Sequence, residues 1–326
     1  MKHVSILVPE SSVVEAIADP RYMMNAVNQF LESADRPPLF KIQLVGLRRN
    51  VQLENSAFSV HTDALISEVE KTDLIFIPAL NGNLKHALDL NKEMIPWIQE
   101  QYGKGAEVAS LCLGAFLFAA TGLLNGRQCS THWLFANDFR AMFPEVELVD
   151  GSIITEENGL YSSGGANSYW NLLLYMVEKY TDRDIAILAS KYFAIEIDRD
   201  SQRSFMMFQG QKEHEDTEIK KAQDFIEENF QEKISVDQLA DQFAIGRRSF
   251  ERRFKKATNN TVMEYIQRVK IEAAKRSFEK SRKNINEVMY DVGYTDTKAF
   301  RTIFKKITGL TPIEYRNKYN KQAMAA

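Results

Sequence analysis

Cysteine is nearly missing from this chain: 326 residues carry two, Cys112 and Cys129. That is too few for a disulfide framework or a cysteine-built zinc site, and it fits a reducing compartment. Long apolar runs are missing as well. The longest, residues 111–124, is broken by Gly114, Thr121 and Gly122 and falls short of the roughly 20 residues that a membrane-spanning helix needs. The apolar stretch 4–8 is short and runs into Pro9-Glu10, so it does not read as a secretory signal. A cytoplasmic protein with no membrane association, no metal and no cofactor is expected.

Net charge is also small, −3 at neutral pH, but it is unevenly spread. Residues 214–326 hold 23 Lys and Arg against 17 Asp and Glu, a net +6 that leaves −9 on the rest. Within 242–326 there are 20 basic and 8 acidic residues, the footprint of a surface that meets a polyanion. With 44% apolar side chains the chain has enough core formers for two domains.

The carboxy-terminal third repeats itself. Phe250, Phe254, Lys255, Lys256, Thr258, Thr261, Glu264 and Tyr265 recur fifty positions later as Phe300, Phe304, Lys305, Lys306, Thr308, Thr311, Glu314 and Tyr315. Upstream the offset becomes 49, with Val236, Leu239 and Phe243 answered by Ile285, Val288 and Val292. Each copy reads as a short helix (235–242; 286–291), a turn, and a second helix (247–257; 297–307) with aromatics at i, i+4, which is a helix-turn-helix pattern. Asp296 is placed to cap the second helix of the second copy. With the Phe pairs inward, Arg247, Arg248, Glu251, Arg252 and Lys255 point outward from one copy, and Lys298, Arg301, Thr302 and Lys305 from the other. Residues 262–280 lack Gly and Pro and predict a continuous helix with Met263, Ile266, Val269, Ala273 and Phe278 as its apolar stripe. About 20 helical residues span roughly 30 Å, close to the ~34 Å between successive major-groove faces of a duplex.

The segment from about 217 to 319 resembles the AraC/XylS-type DNA-binding domain, through Asn286-Glu-Val-Met-Tyr-Asp-Val-Gly-Tyr-Thr-Asp296, Ala299-Phe-Arg-Thr-Ile-Phe-Lys-Lys306, Thr308-Gly-Leu-Thr-Pro312 and Glu314-Tyr-Arg316. The resemblance implies base contacts at Arg248, Arg252, Lys298 and Thr302, and phosphate contacts at Arg247, Arg253 and Arg301. Asn259-Asn260 stands where that family often has Gly, and Asn tolerates the left-handed cap this position requires.

Residues 1–197 alternate β-rich runs (4–8, 41–45, 74–77, 108–111) with amphipathic segments, which predicts an α/β domain with a flavodoxin- or Rossmann-like doubly wound sheet, followed by the all-α domain. Residues 198–216 are polar and read as a linker, and 217–326 as the domain with helix-turn-helix motifs at about 235–257 and 285–307. In Glu107-Val-Ala-Ser-Leu-Cys112-Leu-Gly114 a buried strand turns at a cysteine into a helix, a placement that can activate a thiol; a small core residue is the plainer reading. His132, with Glu10 or Glu15, completes a conceivable Cys/His/carboxylate group.

Residues 108–118, Gly122-Leu-Leu-Asn-Gly-Arg127, Thr131-His-Trp133 and Gly164-Gly-Ala166 resemble the PfpI-like members of the class I glutamine amidotransferase-like superfamily. A PfpI-like domain followed by an AraC-type domain is the arrangement of GlxA-type regulators. Active PfpI-like members often have His directly after the cysteine, where Leu113 stands here, so no enzymatic turnover is expected. The resemblance implies a crevice near Glu10, Glu15, Asn81, Cys112, His132 and Gly165 that takes a small-molecule effector. The expectation is a sequence-specific transcription regulator acting on double-stranded DNA, as a homodimer. The alternatives are a cysteine-dependent hydrolase or hydratase with a DNA-binding module, and a non-specific chromosomal protein.

Overall fold

The apolar runs of the amino-terminal region become strands that are buried on both faces. The computed structural model describes residues 1–54, 57–197 and 201–320, and the chain separates into two units, Met1–Gln202 and Arg203–Ala326. The strands of the first unit are β1 (Lys2–Leu7), β2 (Phe40–Gly46), β3 (Asn50–Gln52), β4 (Ser59–His61), β5 (Ala64–Leu65), β6 (Leu74–Ile77), β7 (Glu107–Leu111), β8 (Gln128–Cys129), β9 (Glu147–Leu148), β10 (Ile154–Glu157) and β11 (Leu160–Ser163). Its helices are α1 (Val14–Ser33), α2 (Leu84–Leu90), α3 (Met94–Gly103), α4 (Gly114–Ala120), α5 (Ala136–Met142), α6 (Tyr169–Tyr180) and α7 (Arg183–Tyr192).

Seven strands form the main sheet, in the order β10-β11-β7-β6-β1-β2-β5. Every pairing is parallel except β10 with β11. Parallel strands need crossovers, and the crossovers cover both faces with helices, so successive residues enter opposite cores. Val4 and Ile6 of β1 and Leu74 and Phe76 of β6 pack with Met23, Leu172 and Ile185 of α1, α6 and α7. Leu7, Ile75 and Ile77 pack with Leu84, Trp97 and Phe116 of α2, α3 and α4. The expected doubly wound sheet forms, and β1 lies where its order reverses, since the chain leaves β1 towards β2 and returns to its other side at β6.

The second unit consists of α8 (Thr217–Glu228), α9 (Val236–Gln242), α10 (Arg247–Thr258), α11 (Val262–Lys280), α12 (Ile285–Asp291), α13 (Thr297–Thr308) and α14 (Pro312–Tyr319). The sequence repeat is reproduced bond for bond. Thr258 and Thr308 each donate to the carbonyl four residues back, at 2.8 Å. Thr261 with Glu264 and Thr311 with Glu314 close identical capping boxes on the next helices. Tyr265 donates to Glu227 at 2.6 Å and Tyr315 to Glu279 at 2.5 Å, each tying its copy to the helix before it.

Helix α11 belongs to both copies. Val262, Tyr265, Ile266 and Val269 pack into the first core with Phe250 and Phe254, and Ile271, Ala274 and Phe278 into the second with Phe300 and Phe304. Met263, expected in the apolar stripe, is instead 48% exposed. The helix starts its burial one residue earlier, at Val262, which turns Met263 outward by a third of a turn. The stretch 201–216 is structured over its described length: Gln202 is buried in the first unit, Arg203–Phe205 forms one 3-10 turn, and the Phe208 ring stands edge-on to Tyr265. Residues 198–200, the start of the linker read from the sequence, lie outside the described residues, as do 321–326.

The two turns and two helix ends test how far the duplication is exact. Asn259 and Gly309 cap α10 and α13 in the left-handed region, at φ 55° and 76°. In the turns, Ala244 (φ 52°) stands where the second copy has Gly293 (φ 73°). A Cβ on Gly309 would meet nothing closer than 3.8 Å, whereas on Gly293 it would lie 2.0 Å from the Gln231 carbonyl oxygen. Gly309→Ala is therefore expected to cost about 1–2 kcal/mol, the left-handed penalty alone, and Gly293→Ala distinctly more. Ala244→Gly should be neutral or stabilising. Denaturant unfolding of the three variants measures this order, and equal losses for the two glycines would contradict the close approach at Gly293.

Candidate functional site

The two second helices present matching faces. In α10 and α13 the Phe pairs are fully buried, and on the opposite side Arg247, Arg248, Glu251, Arg252 and Lys255, and Lys298, Arg301, Thr302 and Lys305, are exposed. Asp296 caps α13 by accepting the Ala299 N–H at 2.9 Å. Arg247 is held loosely, with Asp237 at 3.0 Å and Glu251 at 3.5 Å, and such exposed pairs exchange readily for another anion. Arg253 stands apart. Its Nε and Nη2 donate to both Asp216 oxygens at 2.8 and 2.6 Å, and Asp216 also caps α8 at Ile219. The Arg253 guanidinium holds the Asp216 carboxyl below its ordinary range. Arg253 thus anchors α10 to α8 and has fewer N–H groups left for a phosphate than its neighbours have.

The second group of residues lies where β1, β6, β7 and β11 end. Cys112 follows β7 with φ 52°, a left-handed conformation rare for a residue with a side chain. The turn is forced by Gly114, where a Cβ would lie 2.4 Å from the Ile77 carbonyl oxygen. The backbone has the sharp strand-to-helix bend of a nucleophile, but the thiol is buried, and burial pushes it up to about 12. At neutral pH it is protonated and unreactive. His132 Nδ1 accepts the Leu134 N–H at 3.2 Å and burial lowers its affinity for a proton. Nε2 then carries the proton and is a donor, not a base.

Of the expected crevice residues, the structure gathers some and leaves others aside. Thr131, beside His132, donates to the Cys112 carbonyl at 3.2 Å, which brings those two segments together. Gly165 is buried, with φ 78°. Glu15 is exposed on the first turn of α1. The Glu10 carboxylate faces Arg48 at 3.3 Å, and Asn81 is exposed, its N–H bonded to the Ser11 carbonyl. Two unforeseen residues stand between them: Tyr169, 4% exposed, donates to Asp19 at 2.6 Å. Burial raises the Asp19 carboxyl, and both Glu15 and Cys112 lie near enough to raise the Tyr169 hydroxyl electrostatically. Asp19, four residues after Glu15 on one helix face, was the available signal.

Comparison with known proteins decides what the two units are. A DJ-1/PfpI family model matches residues 29–179, and a helix-turn-helix domain model matches residues 239–318. The chain joins a DJ-1/PfpI domain to an AraC-type helix-turn-helix domain. It is 25% identical over 238 residues to the HTH-type transcriptional regulator GbdR of Pseudomonas aeruginosa, an alignment covering 70% of this chain and 62% of that protein. To the regulator ArgR of the same organism it is 24% identical over 214 residues, 65% of each chain. The chain thus spans a little under two thirds of the length of these relatives. The helix-turn-helix part alone is 38% identical over 93 residues to the bifunctional transcriptional activator/DNA repair enzyme AdaA of Bacillus subtilis, 28% of this chain and 44% of that one.

Among solved structures, the chain is similar in fold to a transcriptional regulator protein from Vibrio parahaemolyticus (22% identity, TM-score 0.53, 59% of this chain and 98% of that one). It is also similar to a ThiJ/PfpI family protein from Pseudomonas syringae (18%, TM-score 0.51, 61% and 76%). In the DJ-1/PfpI domain of this chain, burial at Cys112 outweighs the activating bend. Alkylation of Cys112 by iodoacetamide is therefore expected to be slow at pH 7–8 and to keep rising with pH past 9.5, with no plateau near the ordinary thiol value of about 8.5. A Cys112→Ser control isolates its signal from Cys129, and a plateau near pH 8.5 would contradict the buried, protonated thiol.

Proposed function

We propose that the chain is a sequence-specific transcription regulator that reads two successive major-groove faces of a duplex with α10 and α13 and responds to a small molecule at the crevice of its DJ-1/PfpI domain. The observation that carries this reading is the duplicated basic face on helices of equal length, spaced by the unbroken α11. Its 19 residues span roughly 28 Å at ~1.5 Å each, close to the ~34 Å between such faces. Arg248 and Arg252 of α10 and Lys298 and Thr302 of α13 are assigned to base edges, because guanidinium and hydroxyl groups can pair with them directionally. Arg247 and Arg301, with the remaining capacity of Arg253, are assigned to phosphates.

The crevice is read as a binding site without turnover. A thiol near 12 and a histidine whose free nitrogen is a donor favour recognition over covalent chemistry. The ligand positions are Glu15, Cys112, His132 and Gly165, with Asp19 and Tyr169 added and Glu10 and Asn81 at the margin. Two copies, joined through the amino-terminal unit, would place two such reading heads on one site. Among the described residues no helix is long and apolar enough to cross a membrane.

Competition between a preferred duplex and random duplex across a salt series tests the assignment. Arg252→Ala should cost about 1–3 kcal/mol at one base position while barely changing random-duplex binding. Arg301→Ala should weaken both duplexes alike and reduce the salt slope by about 1. Equal losses on both duplexes for Arg252→Ala would sink the base-reading assignment and leave a non-specific polyanion binder.

A further inference from the structure

Residues 202–216 run from the first unit into the second, and several of their polar groups are engaged at each end. At one end is Gln202, 2% exposed. Its N–H donates to the Gly151 carbonyl at 2.8 Å, and Nε2 to the carbonyls of Thr131 and Ser152 at 3.0 and 3.1 Å. It fits there because Gly164 leaves room: a Cβ on Gly164 would stand 2.1 Å from Gln202 Nε2, while Gly165 beside it closes on Ser168, whose Oγ would lie 2.7 Å from an added Cβ. That Oε1 is buried and has no hydrogen-bond partner among the described residues. Through Thr131, whose hydroxyl bonds to the Cys112 carbonyl, Gln202 is two hydrogen bonds from the turn at the floor of the crevice.

The other end is fastened just as firmly. Lys275 of α11, 3% exposed, donates to the Met206 carbonyl at 2.6 Å and to Glu272 at 2.7 Å. The same Glu272 oxygen accepts the Phe208 N–H at 3.1 Å. Tyr319 of α14 donates to the Ser204 carbonyl at 3.0 Å. Further along, Gln211 bonds to Gln223 of α8 and to Asn260, and Asp216 grips Arg253 of α10. The segment therefore touches both helix-turn-helix copies, the helix between them and one recognition helix.

We propose that residues 202–216 form a strap that carries the state of the crevice to the DNA-binding unit, with Gln202 as the residue that senses it. The proposal deepens the regulator reading above and rests on it for the identity of the two ends. A ligand that offers a donor to the orphaned Oε1, or that shifts the paired glycines, displaces the first residue of the strap. Four residues on, Met206 is held by Lys275. Four residues reach at most about 14 Å when extended, and three of them are coiled in a 3-10 turn, so the two anchors are close neighbours along the chain. Displacement at Gln202 is passed to α11 and α10, and by reciprocity a change at α11 returns to the crevice.

Amide hydrogen exchange on the full-length protein, without DNA or ligand, tests this. Gln202→Ala is expected to speed exchange at 206–212 and in α11 by roughly fivefold, the equilibrium weight of one lost hydrogen bond. The pair Glu272→Gln with Lys275→Met should do the same at 130–132 and 163–166, with β1 and β6 unchanged as the check on folding. A Gly-Ser-Gly insertion after Phe205, which keeps both anchors and adds slack, should abolish the cross-unit effect of Gln202→Ala. Changes confined to the substituted unit, or a cross-unit effect that survives the insertion, overturn the proposal. Because the readout needs no DNA, its failure is distinct from a failure of sequence-specific binding.

Discussion

The double attachment of α11 is the constraint on which the helix-turn-helix unit depends. One helix supplies Tyr265, Ile266 and Val269 to one core and Ile271, Ala274 and Phe278 to the other, so neither core can form without fixing the same rigid rod. Close-packed interiors tolerate little sliding, and each recognition helix is locked to its core by two fully buried Phe rings. The distance between the two basic faces then follows from a count of helical residues. A flexible loop between the copies would leave that distance unset, and any partner meeting both faces would bear the additional entropic cost of ordering the loop.

The DJ-1/PfpI unit settles a competition of another kind. A left-handed residue at a strand end puts strain where an enzyme would place a nucleophile. The same tight turn, with Gly114 pressed on the Ile77 carbonyl, sinks the thiol among apolar side chains, and desolvation is the dominant influence on it. What remains beside this turn and its neighbouring segments is the Tyr169–Asp19 pair, the His132 imidazole and the buried, unpartnered amide oxygen of Gln202. Buried polar groups without partners cost free energy, and that cost is the physical ground for the ligand site proposed above.

Much of the architecture was legible from the amino acids. The helix-turn-helix pairs and α11 fall within a residue or two of the expected bounds, because periodicity, caps and the internal repeat all agreed and each is a local signal. The four main strands emerged likewise from apolar runs bounded by turns. The phase of α11 was less legible: Met263 and Val262 are both apolar, and only the packing partner decides which is buried. The contacts around the Cys112 turn were less legible: Tyr169 reaches Asp19 across 150 residues and Gln202 reaches Thr131 across 71, separations that leave no local pattern. The contacts of the described part of the linker, 201–216, left no pattern for a related reason. Its partners are backbone carbonyls and charged side chains rather than an apolar stripe, so no periodicity marks it.

That choice of partners has its own logic in the buried Lys275 and Glu272. Desolvating two ions costs several kcal/mol each, and an apolar pair of similar volume often stabilises a protein as well or better. An apolar pair would grip the strap only through side chains that could settle in several registers. The ion pair instead fixes a carbonyl at Met206 and an N–H at Phe208, and a slip of one residue would leave a buried charge facing the wrong group. A register error is thereby made expensive. One defined register of residues 206–208 on α11 is what the buried pair secures, and this accounts for charged side chains in the interior of α11 where its apolar neighbours would otherwise continue.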